Sequence, residues 1–148
     1  KGGPMRCSMG SLRMLAVPSL KPLWRKAPPW GRIRAVAFSN DGKRLLVGSS
    51  GAVISVHETT TGKRTAVLTG HAGAISRLYV SPDDKHWISV SDSPEAAEIG
   101  LWDAAKAKLI KRTYLFGGRV VAVHRAGRSY HVLQWRKSGM VLRTIPVR

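Results

Sequence analysis

The apolar positions of this chain fall in short alternating runs. In IRAVAF (Ile33–Phe38) and AISRLYV (Ala74–Val80), apolar side chains alternate with polar or small ones at period two, the signature of an extended strand with one face in a core. SNDGK and SPDDK follow these runs, and their Asx, Gly and Pro residues supply turn geometry. RLLVGS and HWISVS then predict second strands, VISVHE and IGLWD third strands, and RTAVL and KLIKRTYLF fourth strands. PEAAEIGLWDAAKAKLI is rich in helix formers, but Leu101-Trp102-Asp103 lies in it where the pattern demands a strand.

The pattern repeats. Ile33–Ser49 superposes on Ile75–Ser91 at an offset of 42, with Ser39 on Ser81, Asp41 on Asp83 and Lys43 on Lys85. The same offset lays Leu12–Trp24 over Ile54–Ala66. SDSPEAAE then adds three residues, so that ISVHE of the first copy falls on IGLWD (Ile99–Asp103) at an offset of 45. Val120–Trp135 is a weaker third copy, with strand, Gly127 turn and strand but no acidic turn residue.

Four antiparallel strands in every forty-odd residues build a β-propeller blade. The expectation is an all-β fold of about three blades in an incomplete ring. Residues 1–30 form the end of a preceding blade with a basic, Pro-rich connection, 31–70 one blade, 71–115 a second, and 116–148 a degenerate partial blade with a basic tail. Closed propellers take roughly four to eight blades. The chain is therefore expected to be part of a longer one, to pair with another chain, or to cap an assembly, and a start at Lys1 without methionine favours the first. A targeting peptide over the acid-free residues 1–36 competes with the repeat alignment of Leu12–Lys26, which favours strands.

Gly70-His71 and Trp102-Asp103 are separated by thirty residues, with Ser81-Pro82-Asp83-Asp84 between them. On these motifs the chain resembles the WD40-repeat family, most strongly from Gly31 to Tyr114. The resemblance implies a hydrogen-bonded network bracing the blade, built from the histidine, a hydroxyl on the second strand, an aspartate in the next turn and the tryptophan. Here those places fall to His71, Ser89 or Ser91, and Trp102, with Asp103 completing the Trp-Asp pair. The family spacing for the aspartate lands on Ala96, and the insertion displaces Asp92. His57 stands where the next copy has Trp102, also a packing place. The resemblance further implies a rigid platform with no chemistry of its own, whose faces bind peptides or proteins.

Charge alters this picture. The net charge is +17, and all eight acidic residues lie between Asp41 and Asp103, leaving acid-free basic flanks. A one-sign field of this kind attracts phosphate backbones and acidic protein surfaces, although it also suits a merely solvated surface. Candidate contacts to RNA or to an acidic partner are Arg25, Lys26, Arg32 and Arg34 in the N-terminal flank. In the C-terminal flank they are Arg112, Arg119, Arg125, Arg128, Arg136 and Lys137. Trp30, after Pro28-Pro29, is a candidate aromatic anchor, either wedged between blades or exposed to stack on a base or hold a peptide.

Candidate chemistry is thin. His86, His124 and His131 lack metal-ligand spacing, so no metal is expected. Asp83 and Asp84 imitate a catalytic carboxylate pair, but adjacent residues at a strand edge point apart and a turn needs their oxygens. No serine-nucleophile signature or phosphate-cradling glycine loop occurs, so no catalytic residue, cofactor or small-molecule substrate is expected. Cys7 alone forms no internal disulfide, and no apolar run approaches the roughly 20 residues of a membrane-spanning helix. The chain reads as soluble and intracellular, in cytoplasm, nucleolus or mitochondrion. Two functions fit: a non-catalytic scaffold for protein–protein interactions in a multi-subunit complex, or a basic structural subunit of a ribonucleoprotein lying on RNA phosphates.

Overall fold

The computed structural model describes residues 11–27, 30–93, 95–127 and 129–146. Every helix or strand among the described residues is a strand. Cys7, Pro28-Pro29 and Arg128 lie outside the described residues.

The strands form four antiparallel sheets in chain order. The first is a pair, β1 (Leu12–Leu15) and β2 (Pro22–Lys26). The second holds β3 (Ile33–Phe38), β4 (Arg44–Ser49), β5 (Ile54–Glu58) and β6 (Arg64–Leu68). The third holds β7 (Ile75–Val80), β8 (His86–Asp92), β9 (Ala96–Asp103) and β10 (Lys108–Phe116). The fourth holds β11 (Gly118–Ala126), β12 (Ser129–Arg136) and β13 (Gly139–Pro146). The helix-rich composition around Ala96–Asp103 yields to pairing on both sides, with Trp87 opposite Trp102 and Leu109 beyond it.

The repeat seen in the sequence is also a repeat of hydrogen bonds. Ser39 Oγ donates to Asp41 Oδ1 at 2.5 Å and accepts from the Arg44 amide at 2.9 Å. One repeat later, Ser81 Oγ donates to Asp83 Oδ1 at 2.7 Å and accepts from the His86 amide at 2.9 Å. A bulge interrupts the first hairpin at Ile33/Ala35 and the second at Ile75/Arg77, again one repeat apart. The three-residue insertion falls in the β8–β9 hairpin, where it extends the paired strands to Asp92↔Ala97 and leaves the connecting loop short.

Packing is face to face. On β4, Leu45 and Val47 turn toward Trp24, Leu12 and Met14 of the first sheet, while Leu46 between them joins Ile75, Leu78 and Trp87 of the third. β8 divides in the same way, with Trp87 facing the second sheet and Ile88 and Val90 facing Val120, Tyr130 and Val132 of the fourth. A strand with a sheet on either side is apolar on both faces, which explains why RLLVGS and HWISVS read as nearly continuous hydrophobic runs. Each fully buried Leu or Ile in these seams contributes about 1.5–3 kcal/mol, against under about 1 kcal/mol for an exposed ion pair, so the seams dominate stability.

Candidate interaction surface

Gly70 adopts φ +124°, a conformation side chains resist, and this turn delivers His71 onto the face of the third sheet. His71 Nε2 lies 2.6 Å from Ser89 Oγ, and Trp102 Nε1 donates to the same oxygen at 2.7 Å. A carboxylate can only accept, so Glu98 beside Nδ1 calls for a proton on that nitrogen and leaves Nε2 to accept from Ser89 Oγ. That Nδ1–H faces Glu98 Oε2 at 3.4 Å, and Glu98 Oε2 also accepts the Ala72 amide at 3.1 Å. Arg112 Nε lies 2.9 Å from Glu98 Oε1, and its guanidinium also reaches the Gly70 carbonyl. Burial pushes the His71 imidazole below its ordinary pKa, and the Glu98 charge only partly opposes this.

Two of the expected network members stand elsewhere. Ser91 is buried beneath Gly73 and makes no bond to His71. Asp92 points its carboxylate at Arg77 Nη1, 3.3 Å away, and Glu98 on β9 takes the place expected of it. The insertion explains the exchange: it carries the turn past the point from which a short carboxylate reaches the imidazole, and the longer Glu98 side chain reaches it from within the strand. Sequence reasoning passed over Glu98, although a lone acid amid the apolar run AAEIGLW is the signal of a buried, partnered carboxylate. Asp103 instead shapes the turn after β9, where its Oδ1 accepts the Ala105 and Lys106 amides at 2.9 and 2.8 Å. In the second sheet His57 bonds Ser55 Oγ at 2.9 Å and the Gly62 carbonyl at 3.1 Å.

At the opposite end of these strands, Asp83 and Asp84 reach in different directions. Asp84 Oδ1 and Oδ2 accept the amides of Asn40 and Asp41 in the second sheet, at 2.8 and 3.0 Å. Asp83 Oδ1 faces Arg125 Nη1 of the fourth sheet at 2.5 Å. Hydrogen bonds from Ser81 and Arg125 hold the Asp83 carboxyl well below the usual carboxylate range. The pair that imitates a catalytic dyad is a two-way clasp across three sheets.

The basic candidates divide into engaged and outward-facing groups. Arg112 and Arg125 hold Glu98 and Asp83, and Arg136 donates to the carbonyls of Phe116 and Gly117 at 3.1 and 3.3 Å. Arg25 and Lys26 on β2, Arg32 before β3 and Lys137 between β12 and β13 are exposed. Arg34 and Arg119 converge from different sheets on one cleft of about 580 Å³, which they share with Arg77, Asp92, Ser76 and Ser93. Trp30 is half-buried beside Leu12, Ile33 and Val47, with the Arg64 guanidinium 4.9 Å above its ring. Among the described residues no group of three or more His, Cys, Asp or Glu is placed to hold a metal ion, and no helix is long and apolar enough to cross a membrane.

Consecutive antiparallel sheets packed face to face, each entered by a turn from the rim strand of the one before, define β-propeller blades. The family model for the WD domain, G-beta repeat, matches residues 26–57 and 62–93, so the chain carries WD40 repeats at these two positions. The 66 kDa stress protein of Physarum polycephalum is 34% identical over 76 residues, covering 50% of this chain and 12% of that protein. Among solved structures, U3-55K matches with TM-score 0.69 and 22% identity, over 89% of this chain and 45% of that one. The hydrazine synthase of Kuenenia stuttgartiensis matches with TM-score 0.72 and 16% identity, over 84% of this chain and 37% of that one. The chain thus spans less than half the length of each of these proteins.

Proposed function

We propose that this chain is a non-catalytic platform that mediates protein–protein interactions within a larger assembly. The observation that carries this reading is the state of Ser89. It stands beside His71 and Glu98 in the order of a hydrolytic triad, yet it is 0% exposed and its oxygen is occupied by the Trp102 indole. A nucleophile must meet its substrate, and this hydroxyl braces a sheet instead. Apolar surface supports the protein-binding reading: Trp135 and Met140 pair across β12 and β13 at 57% and 48% exposure, with Leu142 beside them. Side chains of this size in one patch mark surfaces that other polypeptides cover.

Cross-linking of the protein in its native complex tests the proposal. Links from Lys137, Lys108 and Lys111 to other polypeptides are expected, and internal links alone from a lone sedimenting species would overturn it.

A second reading, contact with RNA phosphates, draws support from the outward-facing Arg25, Lys26, Arg32 and Lys137. The engagement of Arg112, Arg125 and Arg136 within the protein removes three of its ten candidates. Phosphate binding weakens steeply as ionic strength rises, so an affinity for mixed-sequence RNA that stays flat from low to high salt would end this reading.

A further inference from the structure

Three sheets contribute one arginine each to the cleft at the start of their innermost strands: Arg34 on β3, Arg77 on β7 and Arg119 on β11. Arg34 and Arg119 are the second residues of their strands, so the repeat itself brings the two flanks of the chain to one place. Arg34 and Arg119 are eighty-five positions apart in sequence and meet only through the fold. The single carboxylate lining the cleft, Asp92, is committed to Arg77 at 3.3 Å. Among the described residues neither Arg34 nor Arg119 has a carboxylate within ion-pairing distance. Three guanidiniums against one carboxylate leave an excess of two positive charges in about 580 Å³.

We infer that this cleft binds a phosphorylated side chain of a protein partner, an inference that rests on the platform reading above. Three features select that ligand. A phosphomonoester carries about −1.5 to −2 charge and three acceptor oxygens at one point, which matches the excess and the fork geometry of guanidinium groups. A polynucleotide spreads one charge per phosphate along a track, whereas this basic group is compact and closed on one side by the Asp92–Arg77 pair. No aromatic ring is among the residues lining the cleft, so a base entering it finds nothing to stack on. Recognition of phosphorylated motifs by arginine clusters uses this same chemistry.

The test measures binding of the full chain to a degenerate pool of phosphoserine and phosphothreonine peptides, to the same pool unphosphorylated, and to mixed-sequence single-stranded RNA. The phosphorylated pool is expected to bind selectively. R34Q/R119Q is expected to weaken that binding about tenfold or more, by loss of two charge-assisted contacts. D92N, which releases Arg77, is expected to tighten it. Equal binding of both pools, indifference to R34Q/R119Q, or tighter arginine-dependent binding of the RNA overturns the inference. If the phosphopeptide arm fails while cross-links to other polypeptides persist in the native complex, this inference falls and the platform reading stands. If both are absent, both fall.

Discussion

Trp102 Nε1 donates to Ser89 Oγ across 2.7 Å, one strand to the next, at a point where Ser89 is fully buried. Ser89→Ala leaves two buried groups without partners, the indole N–H and the imidazole Nε2 of His71. Orphaned buried groups cost about 1–3 kcal/mol each, so the variant is expected to lose about 3 kcal/mol in urea unfolding. Trp102→Phe removes one donor and leaves the Ser89–His71 bond in place, and it is expected to lose less. The double variant should fall short of additivity, because both changes act on one network.

Gly100 lies in the middle of that network. A Cβ at this position would stand 2.8 Å from Ser89 Oγ and from Trp102 Nε1, and 3.0 Å from His71 Nε2. Gly100→Ala deletes no interaction, yet it is expected to destabilise the protein at least as much as Ser89→Ala. Thermal unfolding alongside Gly127→Ala, where no atom lies within 4 Å of the added methyl but φ is +58°, compares crowding at Gly100 with backbone strain alone.

Asp84 holds φ +54° while its carboxylate ties the turn of one blade to the next. Substitution separates the two effects. Asp84→Gly loses the inter-blade bonds but relieves the backbone, whereas Asp84→Ala loses the bonds and keeps the strain. The alanine variant is expected to be less stable than the glycine variant by about 1 kcal/mol, the usual penalty for a side chain in the left-handed region. Equal stabilities in denaturant titration would remove the strain from this account.

Burial lowers the pKa of both His57 and His71 below the ordinary value of 6.5. In the unfolded chain these imidazoles take up protons as pH falls through 6.5, and in the folded chain they resist until a lower pH. The unfolded state therefore binds more protons, and stability rises with pH across that window. Stability is expected to be flat above about pH 7.5 and to decline below about pH 6.5, with a smaller decline in His57→Gln. Asp41, Asp83 and Asp103, held below the ordinary value of 3.8 by hydrogen bonds led by Ser39, Ser81 and Lys106, act only in a separate, more acidic window.

The blades were legible because two local signals coincide in each: alternation at period two and Ser-x-Asp turns at fixed distance from it. In β3 the alternation marks the strand but not its packed face, since Ile33, Ala35 and Ala37 turn inward while Val36 and Phe38 are exposed. Glu98 was hidden because its role depends on how far the β8–β9 hairpin extends and on Arg112, forty-two residues after Gly70, folding back over the same turn. The basic flanks were legible as charge but not as surface. Arg136 spends its guanidinium on backbone carbonyls, and no sequence count distinguishes it from Lys137, which stays exposed. Trp24 was likewise aligned only with Ala66, yet it is buried against Gly62 and donates to the Thr59 carbonyl at 2.7 Å.

The most direct test of the bracing role of His71 is its tautomer. Side-chain nitrogen NMR of the imidazole, with hydrogen exchange of the Trp102 indole, reads both ends of the network at once. A neutral Nδ1–H ring at pH 7, silent through pH 6.5, with an exchange-protected indole proton, is the result expected. An imidazole that titrates at its ordinary pKa beside a rapidly exchanging Trp102 N–H would contradict the account.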